Sequence, residues 1–206
     1  MKQLYLVRHG ETAHNRTGVY YGRIDCPLNA HGQEQAAALA DHLRAVPAEL
    51  IVTSPLLRAA DTARAIAEGR DLPLHCDDRL MELSFGAWEG KSWRELQDDA
   101  HWQRWSADWQ HTAPPGGESF DQLLSRAQAF YDELLTRPQE CAIIVCHHMV
   151  LLALTTILLE TAPENCWHYR VDTGHYCRFD FDGTYAVLTA FNRGGAEPHT
   201  PSLPRV

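Results

Sequence analysis

The sequence predicts an α/β domain of three layers, in which helices cover both faces of a mostly parallel central sheet. Two observations carry this prediction. Short buried-strand patterns alternate along the chain with longer segments of helical periodicity. In addition, a chain of 206 residues with 45% apolar and 22% charged residues can build one well-packed core with a solvated surface.

Five strands are predicted from short apolar runs. The first three have the continuous apolar pattern of central strands, whereas the last two flank Asp182-Gly183, a strong signal for a two-residue hairpin. In chain order the predicted strands cover residues 4–7, 50–53, 143–146, 176–181 and 185–191.

Three helices are marked by their caps, and a fourth by its apolar composition from about Met149. Asn29 is predicted as the N-cap of the first helix, whose apolar face repeats at i, i+3, i+4 and i+7. Ser54 is predicted to cap the second, with Pro55 at its first position. Ser119 opens the third through a capping box.

We predict a single domain over residues 1–193, followed by a flexible C-terminal tail over 194–206. Residues from about 84 to 118 interrupt the alternation as a tryptophan-rich helical excursion, expected to fold over one end of the sheet. Within it, Trp102, Trp105 and Trp109 have the spacing of one helical face. Such a stripe is more typical of packing than of ligand contact.

Composition restricts the partners. The net charge of −9 argues against a nucleic acid bound through its phosphates. The most apolar run, from Met149 to Leu159, is shorter than the roughly 20 residues of a membrane helix. Six cysteines without a CxxC pair, and the lack of a recognisable export signal, indicate reduced thiols and a cytoplasmic protein. We expect no nucleic acid and no membrane among the partners; a homodimer stays open.

Polar side chains stand directly after three predicted parallel strands. Arg8 and His9 follow the first, Arg58 lies in the first helical turn after the second, and His147 and His148 follow the third. Because the carboxyl ends of parallel strands share one edge, these side chains are expected to face one pocket. Arginines and helix N-termini bind phosphate dianions, and a neutral imidazole beside such a group can attack phosphorus. The arginines are expected to lower the pKa of His9.

His9 also has an ordinary structural interpretation. Taken alone, it would more often be a buried histidine that forms a hydrogen bond at a strand end. Arg8 beside it changes the balance, because burying a charge without an anionic partner is costly.

Several separated motifs occur in order along the chain. They are Leu6-Val7-Arg8-His9-Gly10-Glu11-Thr12 with Asn15, Gly22-x-x-Asp25-x-Pro27-Leu28, Ser54-Pro55-Leu56-x-Arg58-Ala59, Leu80-x-Glu82 with Trp88-Glu89-Gly90, and His147. Together they resemble the histidine phosphatase superfamily, also called phosphoglycerate-mutase-like, and the likeness covers residues 4 to about 192.

The resemblance implies a phosphoglycerate-mutase-like fold, a small-molecule phosphate monoester as substrate and no metal or other cofactor. His9 is implied as the phosphorylated nucleophile and Glu82 as the proton donor to the leaving alcohol. The residues that bind phosphate or substrate are then Arg8, Asn15, Gly22, Arg58 and His147. Glu82 could otherwise be a solvated glutamate; beside a phosphate dianion its pKa would rise towards the working pH.

Two neighbouring positions depart from the family pattern. His148 and Met149 stand where the superfamily usually has glycine or another small residue. This alters the expected floor of the pocket and makes His148 a candidate ligand of phosphate or substrate.

A second resemblance concerns the substrate. Trp105-x-x-Asp108-Trp109-Gln110, Pro114-x-x-Gly117-Glu118-x-Phe120 and Trp167-His168-Tyr169-Arg170-Val171 are similar to the α-ribazole-5′-phosphate phosphatase subfamily of cobalamin biosynthesis. It implies α-ribazole 5′-phosphate or adenosylcobalamin 5′-phosphate as the substrate. A broad sugar-phosphate or fructose-bisphosphate phosphatase and a phosphoglycerate mutase are the enzymatic alternatives.

Two alternatives belong to other classes. A non-catalytic phosphate-binding module would keep the arginines and lose the nucleophile or the acid, whereas this chain has both His9 and Glu82. A histidine-rich metal protein is suggested by the twelve histidines. No Cys/His ligand spacing supports that class, and arginine beside His9 disfavours a cation.

Overall fold

The computed structural model describes residues 1–183 and 185–194. Its strands in that part of the chain are β1 (Gln3–Arg8), β2 (Leu50–Thr53), β3 (Leu74–Cys76), β4 (Cys141–Cys146), β5 (His175–Asp182) and β6 (Tyr185–Gly194). They form one sheet in the order β3-β2-β4-β1-β5-β6. The pairs β1–β4, β2–β4 and β2–β3 are parallel, and β5 runs antiparallel to both β1 and β6.

Helices cover both faces of this sheet. The helices on these faces are α1 (Ala30–Leu43), α2 (Leu57–Ala67), α5 (Phe120–Thr136) and α6 (His148–Leu158). The described chain also contains α3 (Trp93–Leu96) and α4 (Ala100–Ala107). Alternate residues of β1 pack on opposite faces of the sheet. Tyr5 and Val7 lie in the core with α1 and α2, whereas Leu4 and Leu6 lie in the core with α5 and α6. The predicted three-layer α/β fold with a mostly parallel sheet is therefore confirmed.

The predicted strands are present, with one addition. The sequence pattern did not predict β3, and the reason is its exposure. All three of its residues face solvent, so they need no apolar pattern, and the strand is held by backbone pairing with β2. The predicted hairpin is confirmed by the antiparallel pairing of Asp182 with Tyr185.

Two of the three predicted caps are confirmed. The Asn29 side chain accepts a hydrogen bond from the Gly32 amide, and Ser119 forms the capping box with Gln122. The cap predicted at Ser54 is wrong, because α2 begins at Leu57. The Ser54 hydroxyl instead lies 2.7 Å from Nε2 of His147. A tertiary contact has taken the place of the local cap.

The tryptophan-rich segment contains two short helices, α3 and α4, and packs against the loop that follows β1. Backbone hydrogen bonds join Tyr20 to Lys91 and to Gly90. Trp105 is buried against Trp88, with ring centroids 5.6 Å apart, as expected for packing residues.

The predicted helical stripe is only partly correct. The helix α4 ends at Ala107, so Trp109 lies beyond it and packs on Phe120 and Trp167 instead.

Only the first residue of the predicted C-terminal tail lies within the described residues. Gly194 still belongs to β6, and residues 195–206 of the predicted tail lie outside the described residues. In residues 1–183 and 185–194, no helix combines the length and the apolar character that crossing a membrane requires.

Candidate active site

The carboxyl ends of three neighbouring parallel strands bring the candidate residues together. β4 lies between β1 and β2, so His147 after β4 stands beside His9 after β1 and beside Arg58 in the first turn of α2. The ring centroids of His9 and His147 are 5.1 Å apart, and Arg58 Nε lies 3.2 Å from His147 Nδ1. None of the three residues is more than 1% exposed.

The His9 ring is held in one tautomer. Its Nδ1 lies 2.7 Å from the carbonyl oxygen of Gly10, which can only accept, so Nδ1 carries the proton. The lone pair is then on Nε2, which is buried and has no hydrogen-bond partner within the described chain. Burial, followed by the charges of Arg58 and Arg8, holds the pKa of His9 well below its usual range. The sequence predicted the arginines as the cause, but burial contributes more.

Arg58 is fixed by three hydrogen bonds to nitrogen and oxygen acceptors of the protein. Its Nε donates to His147, and its two terminal nitrogens donate to the carbonyl oxygens of Gly22 at 2.7 Å and Ile24 at 2.9 Å. Its guanidinium carbon also lies 4.9 Å from the ring centre of Tyr21. Because all three acceptors are uncharged groups, these bonds orient the guanidinium without neutralising it.

Neither arginine of the site forms a salt bridge with a carboxylate among the described residues. Arg8 donates to the carbonyl of Val171 at 2.7 Å, while its Nε is buried without a partner. A buried charge without a partner is costly. The site is therefore suited to an anion.

Both nitrogens of His147 are engaged by the protein. An arginine N–H only donates, so Nδ1 accepts from Arg58 and the ring proton on Nε2 is directed to Ser54 Oγ. Burial, then the neighbouring Arg58 and His9, hold the pKa of His147 well below its usual range. A direct contact of this ring with a phosphoryl group would require exchange of the Ser54 hydrogen bond, and it stays a prediction.

The Glu82 carboxyl is buried at the same edge, with 7% of the residue exposed. One oxygen accepts from the Leu83 amide at 2.9 Å and the other from the Met149 amide, near the start of α6, at 3.4 Å. Burial raises the pKa of Glu82, although these amides and Arg58 oppose the shift. A bound phosphate is not needed for a raised pKa of Glu82, because burial alone already acts in that direction.

Asn15 contacts Tyr21, which lies against Arg58, and Gly22 accepts a hydrogen bond from Arg58 itself. The Asn15 side chain accepts from the Thr12 amide and donates to the Tyr21 hydroxyl, each at 2.8 Å. Gly22 has φ of +38°, and a Cβ there would lie 2.5 Å from Glu89 Oε1, so a side chain is disfavoured. Direct contact of either residue with substrate stays a prediction.

His148 is the first residue of α6, and its Nδ1 is buried without a partner in the described structure. Burial above all, then the charges of Arg8 and Arg170, lowers the pKa of His148 to about 3. The imidazole is therefore neutral at physiological pH. It offers an unused polar atom beside Arg8.

Comparison with known proteins identifies the family. The sequence pattern of the Histidine phosphatase superfamily (branch 1) matches residues 4–194. The chain belongs to this superfamily. The resemblance inferred from the separated motifs is thus confirmed, and with it the prediction that the protein is a phosphatase.

Relatives of this histidine phosphatase include proteins with two named activities. The adenosylcobalamin/alpha-ribazole phosphatase of Escherichia coli (strain K12) is 37% identical over 193 residues, which are 92% of this chain and 95% of that protein. Phosphoserine phosphatase 1 of Hydrogenobacter thermophilus is 31% identical over 195 residues, 93% of this chain and 92% of that protein. The crystal structure of the alpha-ribazole phosphatase from Shigella flexneri superposes with a TM-score of 0.88 at 38% identity, covering 95% and 99% of the two chains.

The sequence did not predict Tyr21 as a residue of this site. Tyr21 lies against Arg58 and receives a hydrogen bond from Asn15. Its place directly before Gly22 of a family motif was the only signal, because a lone tyrosine has no distinctive spacing.

Proposed function

We propose that this histidine phosphatase hydrolyses phosphate monoesters through a phosphohistidine formed on Nε2 of His9. The supporting observation is the free lone pair on that nitrogen, buried beside two arginines that form no salt bridge in the described structure. A phosphate dianion would neutralise those arginines and place its phosphorus against the lone pair.

The proposed reaction has two steps. Nε2 of His9 attacks phosphorus, the bond to the ester oxygen breaks, and Glu82 gives its proton to the leaving alcohol. Water then attacks the phosphohistidine, Glu82 accepts a proton from that water, and the bond between phosphorus and nitrogen breaks to release inorganic phosphate. Throughout, the Gly10 carbonyl accepts from Nδ1 and stabilises the positive charge that the ring acquires.

The remaining residues of the proposed site bind the phosphoryl group or orient the residues that bind it. Arg8 and Arg58 stabilise the charge that develops on the oxygens of the phosphoryl group, and His147 joins them. Asn15 acts through Tyr21, and the Gly22 carbonyl orients Arg58.

Replacing Glu82 with glutamine tests the proton donor. We expect kcat/KM for an alkyl phosphate to fall by about 10²-fold, the range typical of a lost general acid. A raised pKa keeps the carboxyl protonated to higher pH, and the acid form is lost as pH rises through that pKa. The native enzyme should therefore lose kcat/KM towards alkaline pH, and Glu82→Gln should lack that decline. An unchanged alkaline limb in the variant would rule out Glu82 as the donor.

We further propose α-ribazole 5′-phosphate, or adenosylcobalamin 5′-phosphate, as the substrate. Support comes from the two relatives named as alpha-ribazole phosphatases, at 37% and 38% identity. An aromatic pair of Trp109 and Trp167, with centroids 5.1 Å apart and Trp167 44% exposed, offers a surface for an aromatic base.

A panel of substrates tests this assignment by kcat/KM. It should contain α-ribazole 5′-phosphate, O-phosphoserine, fructose 1,6-bisphosphate and 3-phosphoglycerate, and the first should be the best substrate. Phosphoserine deserves inclusion because a phosphoserine phosphatase is among the relatives. A higher value for another ester would overturn the substrate and leave the phosphohistidine mechanism standing.

We propose that His148 recognises the alcohol part of the substrate through its free Nδ1. Replacing it with glycine, a residue usual in the family, should lower kcat/KM for α-ribazole 5′-phosphate by up to about tenfold, the loss expected for one hydrogen bond. Hydrolysis of p-nitrophenyl phosphate should change little, and His148→Asn should retain more activity than glycine. Equal losses on both esters would contradict recognition of the alcohol.

A further inference from the structure

The main chain of Glu82 is held by two guanidinium groups. Its carbonyl oxygen accepts from Arg23 Nε at 3.1 Å and from Arg126 Nη2 at 3.3 Å. Arg23 belongs to the loop after β1 and Arg126 to α5, so the bonds reach Glu82 from two distant parts of the chain. Neither arginine forms a hydrogen bond with the Glu82 carboxyl, whose oxygens are occupied by backbone amides.

Glu118 joins the two arginines. Its Oε1 accepts from Arg126 Nε at 2.7 Å, and its Oε2 accepts from Arg126 Nη2 at 2.8 Å and Arg23 Nη2 at 3.3 Å. The side chains of Glu118 and Arg126 are only 13% and 16% exposed, so the bidentate pair is largely shielded from solvent. Two parallel N–H···O bonds fix the orientation of a guanidinium as well as its position.

The backbone around Glu118 is fixed as well. Its amide donates to the carbonyl of Ser84 at 2.9 Å, two residues beyond Glu82. A Cβ on the preceding Gly117 would lie 2.5 Å from that same carbonyl oxygen. The two chain segments therefore approach more closely than a side chain would allow. Glu118 is thereby held beside the segment that it orients.

The loop residues 22–24 connect this network to the phosphate side of the site. The carbonyls of Gly22 and Ile24 accept from Arg58, whereas Arg23 between them donates to Glu82 and Glu118. One short segment thus contacts both the arginine proposed to bind phosphate and the residue proposed to donate the proton.

We propose that Glu118 is a positioning residue for proton transfer. Through Arg23 and Arg126 it fixes the main chain of Glu82, so that the carboxyl stays within reach of the leaving oxygen of a phosphoryl group bound by Arg58. The inference rests on the proposed role of Glu82 as the acid. Its physical basis is that a displacement of about 1 Å in a reacting group can cost 10²-fold in rate.

The test compares two leaving groups in the variant Glu118→Gln, which keeps the shape of the side chain but loses its charge and one acceptor oxygen. An alkyl alcohol needs a proton to leave, whereas p-nitrophenolate does not. We expect kcat/KM for α-ribazole 5′-phosphate to fall by about 10- to 100-fold and that for p-nitrophenyl phosphate to change little. The control Asp180→Asn removes the carboxylate of a remote pair with Arg178 and should leave both values unchanged.

The outcomes are distinguishable. Equal losses on both esters, or no loss on either, would overturn the positioning role. Glu82→Gln is measured alongside: if it shows no dependence on the leaving group, the proposed acid itself is wrong; if it does and Glu118→Gln does not, only this inference fails. Should Glu118→Gln not fold, as judged by thermal unfolding, Arg126→Lys keeps the charge but loses the bidentate fork and should show the same dependence.

Discussion

Replacing His9 with alanine is expected to lower kcat for phosphate-ester hydrolysis by about 10⁴-fold or more. Without the imidazole no phosphohistidine forms, and losses of this order accompany removal of a catalytic nucleophile. Because the His9 ring packs at the edge of the sheet and forms its only side-chain hydrogen bond in the described structure with Gly10, the fold should tolerate the change. The exposed His42 in α1 provides a control, since His42→Ala should retain full activity.

The covalent step can be measured directly. Rapid alkaline quenching of the native enzyme with substrate labelled in its phosphate should trap label on the protein, and acid should release it, as expected for a phosphohistidine. The label should be absent from His9→Ala. Failure to trap label in the native enzyme, or equal labelling in the variant, would contradict the nucleophile.

Replacing Arg58 with alanine is expected to lower kcat by roughly 10²- to 10³-fold, by analogy with loss of a donor to a developing oxyanion. Arg58 is fully buried and held by His147, Gly22 and Ile24, so its charge is already oriented when substrate arrives. Arg58→Lys is the matched variant: it keeps the charge but not the planar fork, and it should recover only part of the activity.

Separate measurement of kcat and KM decides how Arg58 acts. A loss in kcat shows that the guanidinium stabilises the transition state, whereas an increase in KM with unchanged kcat would show binding alone. Thermal unfolding of both variants checks that the fold is retained.

The convergence of the site could be predicted because it follows from topology. Strands β1, β2 and β4 were recognisable as apolar runs, and parallel pairing brings Arg8, His9, Arg58 and His147 to one edge. The tautomer of His9 and the bonds of Arg58 to Gly22 and Ile24 could not be predicted, because they depend on backbone carbonyls that no residue type encodes.

The network around Glu82 could not be predicted for a related reason. Glu118 and Arg23 are separated by 95 positions, and both could equally be solvated surface charges in the sequence. The cap predicted at Ser54 is wrong because a contact distant in sequence replaces the local one. The local Ser-Pro signal predicts a helix N-cap, whereas the Ser54 hydroxyl contacts His147, 93 positions away.

The near-complete burial of His9, Arg58 and His147 imposes an order of events on the proposed reaction. A phosphorylated ring enclosed in this way can return its phosphoryl group to an alcohol that remains beside it, which reverses the step. Net hydrolysis then requires the alcohol to depart before a water molecule takes its place. The partition of the intermediate between these two acceptors therefore depends on how readily the alcohol leaves the site as well as on the reactivity of the phosphorus–nitrogen bond.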